Sequence, residues 1–317
     1  MNNGTLYALT VLIWGSTWYA IEFQLGTVAP EVSLVYRYGA AAALLFAWCL
    51  FRGLKLRFAI RDHARFMLLG LLLFGINYVV AYHAQVHITS ALTAIAFSTM
   101  VWMNILNARL FFGARSGRRV LIGSLLGVIG ILVLFVPRID QLSLDDGMML
   151  GSLLAISSAA LASLGNMVSQ ASQRAGLPVL QSNAWGMLYG TLINAGIALV
   201  SGKEFLFDVS PAYIGSLAYL TVFGSIVAFG AYLTLLGRIG AHKAGYAMVL
   251  FPVVALVLST AFEGLNIDRS TAVGCCLVLA GNACVLSRFE RRLRVPRLPN
   301  VFARIAARLR PVSERPC

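Results

Sequence analysis

Acidic residues are scarce here, with 12 Asp and Glu against 25 Lys and Arg in 317 residues, and none of them sits at the centre of an apolar stretch. A central carboxylate is a common handle for a proton or cation inside a bilayer, so that chemistry is disfavoured. Histidine is rarer still, with four. Cys49, Cys275, Cys276, Cys284 and Cys317 form no C-x-x-C pair and have no histidine cluster near them, so neither a zinc site nor a disulfide framework is supported. No G-x-x-x-x-G-K-S/T phosphate loop occurs. No nucleophile–base or metal constellation shares one depth, which argues against an integral membrane enzyme. The expectation is a protein with no cofactor and no metal. Long polar loops are missing as well, leaving no soluble domain to do another job.

What is present is apolar: 59% of residues are hydrophobic and the mean hydropathy is +0.80. Ten stretches stand out, at 4–25, 31–51, 64–84, 89–111, 118–137, 147–171, 179–200, 211–236, 241–263 and 267–287. About 20 apolar residues at a rise of about 1.5 Å match the hydrocarbon core of a bilayer. Continuous runs, unlike the alternation of a barrel, predict an all-α integral membrane protein with ten transmembrane helices. The first stretch lacks a basic leader and a small-residue cleavage site, so it reads as a retained helix.

The net charge of +13 is a topology signal rather than a nucleic-acid footprint, because the basic residues fall between stretches. Twenty-one Lys and Arg lie on the side shared by the N-terminus, the even-to-odd loops and the tail, against Arg138, Lys203 and Arg269 on the other. Both termini are therefore expected in the cytoplasm. The tail, 288–317, holds nine Arg; Val301, Phe302, Ile305 and Leu309 suit either a short amphipathic helix on anionic lipid or a disordered anchor.

The chain also repeats. Residues 90–135 align without a gap on 241–286, pairing Gly113 with Gly264, Gly123 with Gly274 and Gly130 with Gly281; Phe74-Gly75 matches Phe223-Gly224. The expected division is 1–138, 139–287 and the basic tail. Five spans per half, an odd number, would insert the second half upside down, giving two inverted five-helix repeats with a substrate site at their seam. The glycines at 123, 127, 130, 274 and 281 suit close helix packing.

Leu12-Ile13-Trp14-Gly15-Ser16-Thr17, the Pro30…Arg37 pattern, and Pro252, Glu263-Gly264, Gly274 and Gly281 resemble the EamA-type transporters of the drug/metabolite transporter superfamily. Val101 in place of a proline and Phe112-Gly113 without a Glu depart from the pattern in the first half. The resemblance implies ten helices, export of amino acids or related metabolites, and a bacterial inner membrane. The aromatic content of the third and fourth spans looks most like the aromatic amino-acid exporters. Small multidrug-resistance relatives carry a central carboxylate in the first helix, where this chain has Trp14-Gly15-Ser16.

Several side chains could carry the work. Trp14 and Trp18 share a face of the first span, as do Tyr78 and Tyr82 in the third, with Asn77 and His83 flanking. Trp102 lies well inside the fourth span; Ser157, Ser158, Ser163 and Asn166 tint the sixth. Trp14, Trp18, Asn77, Tyr78, Tyr82, His83, Trp102, Ser157 and Asn166 are the expected cavity, suited to an amphipathic zwitterion. The alternative is that the rings fill helix interfaces. His83 either serves substrate or proton, or bonds to a helix carbonyl. Arg37 is expected to pair with Glu22, with direct binding of a substrate carboxylate as the alternative, and Pro252 to act as a hinge.

The reading is an alternating-access exporter of neutral or aromatic amino acids, working by facilitated diffusion or weak coupling through His83. Its partners are a small-molecule substrate and the lipid bilayer, with no nucleic acid, and a monomer is the expected unit. A drug or nucleotide-sugar carrier of the same superfamily is the alternative within transport, and a membrane scaffold the alternative outside it. A sugar nucleotide would want several cavity cations, and only Arg37 offers itself.

Overall fold

A computed structural model of the chain describes residues 1–88, 90–139, 146–251, 253–254 and 269–286, and every regular element among them is helical. Helix α1 (Asn3–Glu22) starts where the Asn2 side chain accepts from the Thr5 amide at 2.8 Å, covering one of the donors that a helix start leaves open. Helix α2 (Pro30–Phe51) opens on proline, whose missing N–H costs nothing in the first turn. A third rod joins α3 (Ile60–Leu69), a π-helical segment (Gly70–Gly75) and α4 (Ile76–His87). Then come α5 (Ser90–Ser98), α6 (Met100–Phe112), α7 (Arg118–Ile139), α8 (Asp146–Arg174) and α9 (Val179–Val200). Another composite rod runs through α10 (Pro211–Tyr219), a second π segment (Leu220–Val227) and α11 (Ala228–Ile239). Short α12 (Ala241–Ala244), a 3-10 stretch (Gly245–Leu250) and α13 (Arg269–Leu286) complete the described chain. Gly113 ends α6 at φ 64°, a left-handed cap that a side chain would strain.

Among the described residues, Pro30–Phe51, Ile60–His87, Met149–Arg174 and Pro211–Ile239 are each long and apolar enough to cross a membrane. The polarity runs inside out. Leu12, Leu44, Leu106, Leu192 and Leu199 face outward, while Thr10, Asn77, Asn104, Ser163, Asn166 and Asn194 are buried. In water that arrangement would expose oily faces; in hydrocarbon it covers them and lets the interior polar groups satisfy one another.

Both π segments carry the repeated Phe-Gly pair, Phe74-Gly75 and Phe223-Gly224. Such a turn disturbs the i to i+4 ladder and leaves carbonyls to be met from outside the helix. Asn194 Nδ2 donates to the Phe74 carbonyl at 3.1 Å, and Trp14 Nε1 to the Gly224 carbonyl at 3.0 Å. Each break is thus closed by a side chain from the other half of the chain.

The packing also joins the halves: α2 lies along α9, α7 along α13, α1 on α11, and α8 on α4. A Cβ built on Gly130 would stand 2.8 Å from the Gly274 carbonyl, and one on Gly70 2.6 Å from that of Gly186, so these helices meet backbone to backbone.

Apolar run length predicts uniform third, fourth, eighth and ninth helices. The third and eighth contain π segments instead, the fourth is divided at Thr99, and the ninth passes from one α turn into 3-10 helix at Gly245. Run length reports burial, not the ladder within it. The predicted hinge Pro252, the Glu263-Gly264 pair and the tail 288–317 lie outside the described residues.

Candidate functional site

The helical period puts Trp14, Thr17, Trp18 and Ile21 on one face of α1. That face lines one side of a partly open pocket between the halves, whose empty space, counting solvent at its mouth, is about 460 Å³. Leu73, Asn77 and Tyr78 come from the third rod, Phe97 from α5, Met100 from α6, Ala162 and Asn166 from α8, and Phe229 and Tyr232 from α11. Met248 and Phe251 complete the wall.

Trp14 is both wall and fastener. Its ring packs edge-on against Phe229 at 4.7 Å and tilted against Tyr232 at 5.0 Å, while its N–H closes the second π segment. Trp18 packs edge-on against Phe97 at 5.1 Å, but its Nε1 is buried with no partner among the described residues. Asn166 Nδ2 donates to the Tyr232 hydroxyl at 2.9 Å and to Asn104 Oδ1 at 3.3 Å, and its own Oδ1 has no partner there. Asn77 is spoken for: its Oδ1 accepts from Ser158 Oγ at 2.6 Å, and its Nδ2 donates to the Leu73 carbonyl at 3.3 Å. The aromatic wall therefore presents one unmet donor and one unmet acceptor, each costing about 1–3 kcal/mol while unsatisfied.

Behind Tyr78 lies a second cluster. Arg37 is 1% exposed; its Nε donates to Ser225 Oγ at 2.9 Å and its Nη1 to the Tyr82 hydroxyl at 3.2 Å. The guanidinium carbon stands 4.9 Å from the Tyr78 ring centre and 5.2 Å from that of Tyr38. Further along α2, Glu31 Oε1 and His83 Nε2 are 2.6 Å apart, with Glu31 buried and the His83 side chain 38% exposed.

Of the nine residues expected to line the cavity, Trp14, Trp18, Asn77, Tyr78 and Asn166 do. Tyr82 is buried behind Tyr78, where it holds Arg37, and His83 faces Glu31 instead. Trp102 packs against the cluster of Val101, Val120, Tyr246, Val249 and Val278. It stands about 200° around the helix from Met100, which does reach the cavity. Ser157 faces outward, one residue round from the buried Ser158 that bonds Asn77. The expected Glu22–Arg37 pair is absent: Glu22 is exposed at the end of α1, and Arg37 is held by the Ser225 and Tyr82 hydroxyls.

Sequence reasoning missed Glu31, which reads as an ordinary first-turn acid in α2, and also Thr17, Phe97, Phe229 and Tyr232. The i, i+3 relation of Trp14 to Thr17 was available as a signal. Pairing Phe229 with Trp14 needed the tertiary contact.

A family model described as the EamA-like transporter family matches this chain twice, over residues 3–136 and 149–287. The chain is 28% identical over 270 residues to the "Uncharacterized inner membrane transporter YedA" of Escherichia coli (strain K12), with 84% of each covered. It is 24% identical over 290 residues to the "Probable amino-acid metabolite efflux pump" of the same organism, covering 88% of this chain and 93% of that one. A solved structure shares the fold with a TM-score of 0.73 at 19% identity, over 90% of this chain and 96% of the other. With both halves matched, the resemblance to the EamA-type transporters is borne out, and the chain belongs to the EamA-like transporter family, a family of transporters rather than enzymes.

Proposed function

We propose that the chain is a secondary transporter that exports neutral or aromatic amino acids, or similar small metabolites, by alternating access. In this reading ten transmembrane helices form two inverted five-helix repeats in a bacterial inner membrane, with both termini cytoplasmic. The pairings of α1 with α11 and of α8 with α4 support it, because they exchange when one half is laid on the other. The efflux pump and the inner-membrane transporter among its relatives support the substrate class and the location.

One observation carries the reading: a cavity at the seam whose aromatic wall leaves Trp18 Nε1 and Asn166 Oδ1 unmet. A zwitterion with an apolar side chain supplies an acceptor, a donor and a hydrophobic group in one molecule, and so answers all three features of the wall.

The test is counterflow of labelled neutral amino acids in proteoliposomes. Trp18→Phe keeps a ring and removes the donor; Asn166→Leu keeps bulk and removes the acceptor. Each is expected to raise the half-saturation concentration by about three- to tenfold, the loss of one modest hydrogen bond. Variants indistinguishable from wild type would remove the cavity assignment, and a wild type that carries no amino acid would remove the substrate class.

A further inference from the structure

Arg37 is the only Lys or Arg buried among the described residues, and no described carboxylate lies within 4.0 Å of it. A guanidinium keeps its proton, so this is a permanent cation out of water without a counter-ion among the described residues. The Ser225 and Tyr82 hydroxyls and the faces of Tyr38 and Tyr78 offset that cost only in part. Glu31, on the same helix, is turned to His83 at 2.6 Å instead.

The cation also stands beside the cavity. Tyr78, whose ring lies 4.9 Å from the guanidinium carbon, is part of the cavity wall. On another side, a Cβ built on Gly224 would stand 3.1 Å from Thr17 Cγ2 and 3.3 Å from Arg37 Nη2. Thr17 lines the cavity, so at Gly224 the wall and the guanidinium approach one another too closely for a side chain to stand between them without crowding.

We propose that Arg37 anchors the carboxylate of the substrate while the substrate's apolar group lies against Trp14 and Phe229. The Tyr82 and Ser225 hydroxyls hold the empty guanidinium in place. This rests on the transport reading above and narrows it: the substrate carries a carboxylate and an apolar side chain, and cations without a carboxylate are poor ligands.

The experiment follows the tryptophan fluorescence of the purified full chain during titration with leucine, leucinamide (no carboxylate) and 2-hydroxyisocaproate (no ammonium). The wild type is expected to bind both carboxylates at least about tenfold more tightly than the amide, the value of a charge-assisted contact. Arg37→Gln is expected to bring that ratio to roughly one, and Arg37→Lys, which keeps the charge but not the planar fork, to retain part of it. Gly224→Ala, whose Cβ would crowd Arg37 Nη2 at 3.3 Å and Thr17 Cγ2 at 3.1 Å while keeping the charge, is expected to weaken leucine more than leucinamide. Equal wild-type affinity for leucine and leucinamide, or an unchanged ratio in Arg37→Gln, overturns the anchor and leaves the transport reading standing. A wild type that binds none of the three overturns both. If Arg37→Gln does not fold, the wild-type ratio and Gly224→Ala decide.

Discussion

Replacing Trp14 by phenylalanine separates two roles that one side chain plays. The indole N–H closes the carbonyl freed at Gly224, 3.0 Å away, while the ring packs on Phe229, Tyr232 and Phe251. Phenylalanine keeps most of the packing and loses the bond. The bond itself is worth about 0.6 kcal/mol in a typical membrane bundle. Leaving the buried carbonyl orphaned raises the cost of removing that bond to about 1–3 kcal/mol. Trp14→Phe should therefore cost about 1–3 kcal/mol. Trp14→Leu gives up the aromatic contacts as well and leaves a void, for a total of about 3–5 kcal/mol. Thermal unfolding of wild type and both variants in one detergent, followed by near-ultraviolet circular dichroism at a fixed scan rate, gives the order of stability. The expected order is wild type, then Trp14→Phe, then Trp14→Leu. If Trp14→Phe melts with the wild type while Trp14→Leu falls, the rings alone hold α1 in place and the role given to the π segment is wrong.

Neighbouring serines should behave oppositely. Ser158→Ala leaves Asn77 Oδ1 without its 2.6 Å donor and should lower stability by about 1–2 kcal/mol, whereas the outward-facing Ser157→Ala should leave the melting temperature unchanged. At Gly190 a Cβ would stand 2.7 Å from Phe74 Cβ and 3.0 Å from its backbone carbon. Gly190→Val should push α9 off the first π segment and cost about 1–3 kcal/mol, read as a lower melting temperature and poorer yield of monodisperse protein.

Much of this molecule is visible in the order of its residues. Apolar run length is enough to read a helical membrane protein, since a bilayer admits few other backbones. The Phe-Gly pairs at 74–75 and 223–224 mark where both composite rods depart from the α ladder, although nothing in them announces a π turn. Trp14 and Trp18 could be placed on one working face because spacing alone fixes that on a helix. Trp102 and Ser157 show the limit. Each lies at a plausible depth, yet the direction a helix turns toward its neighbours is set by the neighbours, and one residue moves a side chain about 100°. That is the difference between Ser157 and Ser158.

Charge shows the limit more sharply. Arg37 and Glu22 stand near the same end of adjacent spans, so pairing them is the natural reading. Which carboxylate meets which cation depends on how helices distant in sequence close around them, and here His83 faces Glu31 while Ser225, 188 residues away, takes Arg37. The solvent in which the chain folds, its repetition and the faces of its long helices follow from local composition and period. The cavity with its unmet donor and acceptor, and the buried cation at its edge, exist only once the halves are packed together, because burial and pairing belong to contacts between segments rather than to any segment alone.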